Sequence, residues 1–129
     1  MSKQVVRTES APAPFQGAPY SQAIKANGFV FVSGQLALVP GEKELVPGGI
    51  TEQTEQVLKN LGAILDAAGS SLHQLVKTSV FLQDLGDFAA MNEVYARHVG
   101  DTPPARSTFE VSKLPSGALV EIEAIALAG

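Results

Sequence analysis

The sequence predicts an α+β fold in which a single mixed β-sheet carries two helices on one of its faces. Three observations support this prediction. Short β-prone runs and two longer helical runs follow one another in the order β-β-β-α-β-α-β-β. The dipeptide Asn27-Gly28 between two β-prone runs is a strong hairpin signal. The longest helical run is apolar on one side only, as expected of a helix that lies on a sheet.

The first half of the chain contains three predicted strands, at residues 5–8, Ala23–Ala26 and Phe29–Gln35. The third strand ends at Ser33 and Gly34, where a glycine allows another group to come close to the backbone.

A stiff loop is predicted over residues 10–20, because it contains three prolines and a glycine. The loop ends at Tyr20. Its composition fits a phenol that packs at the loop edge as well as one that is presented to a ligand.

A helix is predicted over residues 51–68, with Thr51 as N-cap and Gly69 as terminator. The β-branched run Leu75–Leu82 predicts the next strand. A second helix, Phe88–Val99, follows and is capped by Asp84 or Asp87. It contains Asn92, a poor mid-helix residue, and helix propensity alone favours a merely solvated amide there over one that points into a site.

The last two strands, at residues 103–111 and 117–126, are predicted to form a hairpin that turns near Lys113. This register places Arg106 roughly opposite Glu121. Arg106 offers a permanently charged fork for a carboxylate, and a neighbouring Glu can hold or deprotonate water. Spacing alone favours the simpler interpretation, a cross-strand ion pair that stabilises the hairpin.

Composition excludes several function classes. The net charge is −4 without a run of basic residues, so nucleic-acid binding is not expected. Cysteine is absent, and His73 and His98 have no partner at metal-ligand spacing, so no metal site is expected. Neither a hydrolase nucleophile motif nor a nucleotide-binding glycine motif is present. No run is apolar enough to span a membrane and the N-terminus lacks an apolar leader, so a cytoplasmic protein is expected.

The predicted sheet has helices on one face only, so its other face has no cover within the chain. Burial of that face requires another subunit, and we therefore expect an oligomer.

Five stretches in fixed order resemble a known family. They are Ala18-Pro19-Tyr20-Ser21-Gln22-Ala23, Val32-Ser33-Gly34-Gln35, Val76-Lys77-Thr78, Pro104-Ala105-Arg106-Ser107, and Leu114-Pro115 followed by Val120-Glu121-Ile122-Glu123-Ala124-Ile125-Ala126. Together they resemble the Rid family, the reactive intermediate (enamine/imine) deaminases, which is also described as the translation-inhibitor L-PSP family. The resemblance covers nearly the whole chain, residues 1–129, as a single Rid-type domain.

The resemblance implies a chorismate-mutase-like fold and a homotrimer with three clefts between subunits. It also implies hydrolysis of 2-aminoacrylate (2-iminopropanoate) and 2-iminobutanoate to 2-oxo acids and ammonia, without a metal or cofactor. Arg106 would bind the substrate carboxylate and Glu121 would position the attacking water. The residues expected to line the cleft are Tyr20, Ser33, Gly34 and Asn92.

The chain departs from the family at Thr108, where many members carry cysteine; its hydroxyl can still contact the ligand. Two other functions are kept as alternatives: an endoribonuclease that inhibits translation, and a non-catalytic module that binds metabolites or a protein.

Overall fold

The computed structural model describes residues 2–129 and confirms the α+β prediction, with two helices and a single mixed sheet of six strands. The elements are β1 Gln4–Val6, β2 Ala23–Ala26, β3 Phe29–Gln35, α1 Ile50–Ala67, β4 Leu75–Leu82, α2 Phe88–Val99, β5 Ala105–Glu110 and β6 Val120–Leu127. Within the described residues, neither helix has the length and hydropathy that a membrane span requires.

The strands lie side by side in the order β1-β2-β3-β6-β4-β5. All neighbours are antiparallel except β4 and β5, which run parallel. The Asn27-Gly28 hairpin joins β2 and β3 as predicted, with Ala26 opposite Phe29 and both turn residues at positive φ.

The predicted hairpin between the last two strands is wrong. The last strand, β6, lies between β3 and β4, whereas β5 is an edge strand that pairs only with β4. Arg106 is therefore opposite Thr78 of β4, and Glu121 is opposite Phe81 of the same strand. The crossover helix α2 makes β5 parallel to β4, and β6 pairs with the other edge of β4, which leaves β5 at the edge of the sheet.

Both helices cover the same face of the sheet. On β6 the side chains that point toward the helices are all apolar and buried, namely Val120, Ile122, Ala124 and Ala126. They pack with the buried side of α1, which consists of Val57, Leu58, Leu61, Ile64 and Leu65. The alternation along β6 directs Glu121, Glu123, Ile125 and Leu127 to the other face.

The helix ends differ slightly from the prediction. The N-cap of α1 is Gly49 instead of Thr51, and the Gly49 N–H donates a hydrogen bond of 2.8 Å to the Glu52 carboxylate. The Glu52 side chain thus satisfies the backbone donor of the N-cap residue, as in a capping box. Gly69, at φ 80°, follows the end of the helix as predicted. The Asp84 carboxylate caps a 3₁₀ turn by accepting from Gly86 N–H at 2.7 Å, and this turn leads directly into α2.

The face of the sheet without helices exposes large apolar side chains. Val5 is 52% exposed, Phe31 43%, Phe109 54% and Leu127 47%. An apolar surface of this extent on one side of a sheet is typical of a subunit interface.

Candidate active site

A cleft of about 420 Å³ opens where β3 ends and β6 begins. The proline-rich loop, which includes Phe15 and Tyr20, forms one side of it, and Leu36 and Leu38 form another. Glu121 projects into this cleft from the sheet face that the helices leave uncovered. The cleft therefore combines an apolar lining with two carboxylates, those of Glu121 and Glu123, and a mainly apolar lining with a few polar groups is a common composition for a small-molecule site.

Gly34 and Glu121 are in such close contact that any larger residue at position 34 would displace the Glu121 side chain. The pairing of β3 with β6 is interrupted between Val32 and Gln35, so the backbone at Gly34 turns toward the Glu121 side chain. A Cβ atom at Gly34 would overlap Glu121 Oε2 and would lie 3.0 Å from its Cδ. The glycine predicted to allow close approach does so, and the group that approaches is the candidate catalytic carboxylate.

The surroundings of Glu121 raise the pKa of its carboxyl group. Burial contributes most, because it disfavours the charged form, and the nearby charge of Glu123 adds to it. A carboxyl group with a raised pKa takes up and returns a proton more readily near neutral pH than an ordinary one.

Tyr20 and Ser33 lie in the same cleft as Glu121. The Tyr20 hydroxyl accepts a hydrogen bond from the Phe15 N–H. This bond joins two residues of the proline-rich loop and stabilises its conformation. The Ser33 hydroxyl donates to the Ser21 carbonyl at 2.6 Å. The four predicted residues Tyr20, Ser33, Gly34 and Glu121 are thus brought together.

Buried amide side chains fix the loops around this cleft. Gln22 bonds to the backbone of Thr8, Ala11 and Pro12. Asn60 of α1 donates to the carbonyls of Leu36 and Leu38, at 3.1 and 2.8 Å. Each amide replaces the backbone partners that an irregular loop lacks, so the cleft walls are held by the core.

Arg106 lies elsewhere, on the helix-covered side of the edge strand β5. It borders a groove of about 310 Å³ together with Asn92 of α2. The guanidinium carbon lies 4.9 Å from the ring centre of Tyr95 and 5.5 Å from that of Phe88. Within residues 2–129 no carboxylate is within ion-pair distance of Arg106. The guanidinium is therefore free to bind a carboxylate from outside the subunit.

Asn92 and Thr108 belong to the Arg106 side. Thr108 is two residues further along β5, on the same strand face. The Oδ1 of Asn92 and the Oγ1 of Thr108 are buried without a hydrogen-bond partner among the residues that the structure describes. Since buried polar atoms are rarely left unpaired, these two atoms are candidates for contacts with a ligand or a water molecule.

The two groups of predicted residues are not brought together within one subunit. Arg106 and Glu121 are separated by two strand spacings across the sheet and by three residues along it, about 14 Å between Cα atoms. Their side chains also leave the sheet on opposite faces. The cross-strand pair expected from the sequence is therefore not formed, and one small ligand cannot contact both residues of the same subunit.

Sequence reasoning missed the roles of Phe88 and Tyr95, the ring partners of Arg106. They are seven residues apart in the predicted helix Phe88–Val99, which places them on one side of that helix, and this spacing held the available signal. Their contact with Arg106 could not be seen, because it depends on the parallel pairing of β4 and β5. Within residues 2–129 no group of three metal-ligand side chains lies close enough to hold a metal ion.

Comparison with known proteins agrees with the sequence resemblance. The family described as Endoribonuclease L-PSP matches residues 8–128. The 2-iminobutanoate/2-iminopropanoate deaminase of Mus musculus is 46% identical over 127 residues, which cover 98% of this chain and 93% of that protein. A Yersinia pestis protein of the conserved Rid family, YyfA, is 46% identical with a TM-score of 0.92, over 98% of this chain and 99% of that one. E. coli TdcF with bound serine is 38% identical with a TM-score of 0.89, over 96% and 98%.

The fold and the matched residues define the class: a small α+β protein with an uncovered sheet face and a carboxylate-lined cleft. The chain belongs to the Rid family, whose members include proteins named as deaminases of reactive intermediates.

Proposed function

We propose that the protein hydrolyses enamine and imine intermediates, namely 2-iminopropanoate and 2-iminobutanoate, to 2-oxo acids and ammonia. The observation that carries this proposal is Arg106, a half-buried cation with no carboxylate partner among residues 2–129 of its own subunit. Such a group is suited to bind the carboxylate that all these substrates share. Relatives with the deaminase name, and the serine bound to E. coli TdcF, support a small amino-acid-like ligand.

The proposed site is composite. Arg106 of one subunit binds the carboxylate, and Glu121 of another subunit acts on the water. The distance of about 14 Å and the opposite directions of the two side chains within one subunit favour this arrangement. A homotrimer, in which the uncovered apolar faces meet, would provide three such clefts.

The chemistry needs few groups. Glu121 accepts a proton from water as the oxygen attacks C2 of the protonated imine, which gives a carbinolamine. Glu121 returns that proton to the nitrogen and then accepts the proton of the C2 hydroxyl as the C2–N bond breaks. The C2 carbonyl forms, ammonia leaves, and the proton on Glu121 passes to solvent. A general base placed in this way contributes about 10²–10⁴-fold, which is sufficient for imines that already hydrolyse slowly in water.

The direct test couples threonine dehydratase to its substrate and traps the imine with semicarbazide. Added protein should suppress the trapped adduct, and the Arg106→Ala and Glu121→Gln variants should not. If the wild type fails to suppress the adduct, or if Arg106→Ala suppresses it equally, the proposal is wrong.

Co-expression of the Arg106→Ala and Glu121→Gln chains tests the composite site separately. If each cleft takes the two residues from different subunits, about one quarter of the clefts in a mixed oligomer contain both native residues and regain activity. If both residues came from one subunit, no mixture would be active.

The family description keeps RNA cleavage as a second candidate. A net charge of −4 does not favour binding to a polyanion, so we expect no cleavage of messenger RNA by purified protein. Cleavage that the Glu121→Gln variant lacks would revive this candidate. Binding of carboxylic acids without turnover of imines would instead indicate a non-catalytic module.

A further inference from the structure

We propose that Tyr95 and Phe88 are positioning residues that hold the Arg106 guanidinium ready for a carboxylate. This inference rests on the proposed function insofar as Arg106 is the carboxylate-binding group. Neither aromatic residue is assigned a contact with the substrate; both act through the arginine.

The geometry starts from the spacing along α2. Phe88 and Tyr95 are seven residues apart, two helical turns, so both rings lie on the side of the helix that faces β5. The guanidinium carbon of Arg106 lies within 5.5 Å of both ring centres, which is within the range of a cation–π contact.

Tyr95 is itself fixed in place. Its side chain is buried, and its hydroxyl forms a hydrogen bond of 2.6 Å with Thr78 Oγ1, which is also buried. Thr78 is the partner of Arg106 in the pairing of β4 with β5. Arg106 and Thr78 therefore lie opposite each other on neighbouring strands. Arg106 is the cation, and Thr78 holds the Tyr95 ring that contacts it.

Aromatic faces suit this task better than a carboxylate would. An acidic partner would hold Arg106 equally well, but it would occupy the N–H donors that a substrate carboxylate needs. A ring attracts the cation through its face, so the guanidinium keeps N–H donors for a carboxylate even though the Tyr95 hydroxyl also lies near it. This explains why a half-buried arginine lacks an acidic partner in the described part of the chain.

The test measures binding of 2-oxobutanoate by titration, without turnover, together with KM and kcat of the imine assay. Tyr95→Leu removes the ring but keeps a buried apolar side chain, and it should weaken binding about tenfold, which is about 1.4 kcal/mol. We expect KM to rise by the same factor while kcat changes less than twofold. Tyr95→Phe keeps the ring and should bind within about threefold of the wild type.

Two further variants separate positioning from general damage. Phe88 is 41% exposed, so Phe88→Leu should fold normally and still weaken binding. Met91→Leu changes a fully buried residue of the same helix and should leave binding unchanged.

The decisive comparison is a double-mutant cycle. In an Arg106→Ala background, Tyr95→Leu should have no additional effect on binding, because the group that it positions is gone. An equal additional loss in that background would overturn the inference, as would unchanged binding in the Tyr95→Leu single variant. If wild-type protein binds 2-oxobutanoate in this Arg106- and Tyr95-dependent way but hydrolyses no imine, the deaminase proposal fails and the positioning role stands.

Discussion

Replacement of Gly34 by alanine tests whether the position of the Glu121 carboxylate determines activity. The new Cβ would overlap Glu121 Oε2 and lie 3.0 Å from Cδ and 3.2 Å from Cγ. The end of the Glu121 side chain is flexible, so it can move away and relieve the overlap. The carboxylate must then retreat by about 1 Å, and a displacement of this size from the reacting geometry costs about 10²-fold in rate.

The stability of the Gly34→Ala variant should not fall together with its activity. Gly34 is not at positive φ, so alanine fits its backbone conformation. Loss of glycine entropy in the unfolded chain then stabilises the protein by up to about 1 kcal/mol. We therefore expect Gly34→Ala to unfold in urea at the same or a slightly higher concentration than the wild type, while kcat/KM in the imine-trapping assay falls about 100-fold.

Gly62 provides a matched control. It lies within α1, where an added Cβ would meet Leu72 Cδ1 at 3.5 Å, an ordinary contact. Gly62→Ala should raise stability by about 1 kcal/mol and leave activity unchanged. Full activity of Gly34→Ala would refute the reasoning. Equal losses of activity and stability would also refute it, since they would indicate that the fold, and not the carboxylate, had moved.

Three further predictions concern the pH dependence, the assembly and the loops. The raised pKa of Glu121 means that folding takes up a proton, so the stability of the wild type relative to Glu121→Gln should fall as pH rises from the ordinary carboxyl pKa through the raised one. Urea unfolding over a pH series measures this difference in stability, and a difference that rises with pH contradicts the prediction. Phe31→Lys places a charge on the uncovered sheet face and should convert the expected oligomer to folded monomers. Size-exclusion chromatography measures this change, and an elution volume equal to that of the wild type would show that this face is not the interface. Asn60→Ala removes the hydrogen bonds to the Leu36 and Leu38 carbonyls and should lower the free energy of unfolding by about 2 kcal/mol or more. The control Lys59→Ala, at the exposed neighbouring residue, should change it by less than about 0.5 kcal/mol.

Local signals in the sequence predicted local structure well. Asn27-Gly28 and the apolar periodicity of α1 depend on neighbouring residues only, and both were confirmed. The position of β6 depends on which distant strands accept it, and no local signal carries that information. The β4–α2–β5 unit predicts the parallel pairing of β4 with β5, but it leaves both sides of this pair open to β6. Arg106 and Glu121 are separated because β6 pairs with the other edge of β4.

The corrected topology changes the meaning of the uncovered face. If Arg106 and Glu121 had been neighbours on one hairpin, a single subunit could have carried the whole site, and oligomerisation would only have covered apolar surface. With the two residues on opposite faces of the sheet, the face that presents Glu121 is also the face that requires a partner. Assembly and activity then depend on the same contacts. Specific activity should therefore fall on dilution in parallel with dissociation, because the separated subunit keeps both residues and loses only their proximity.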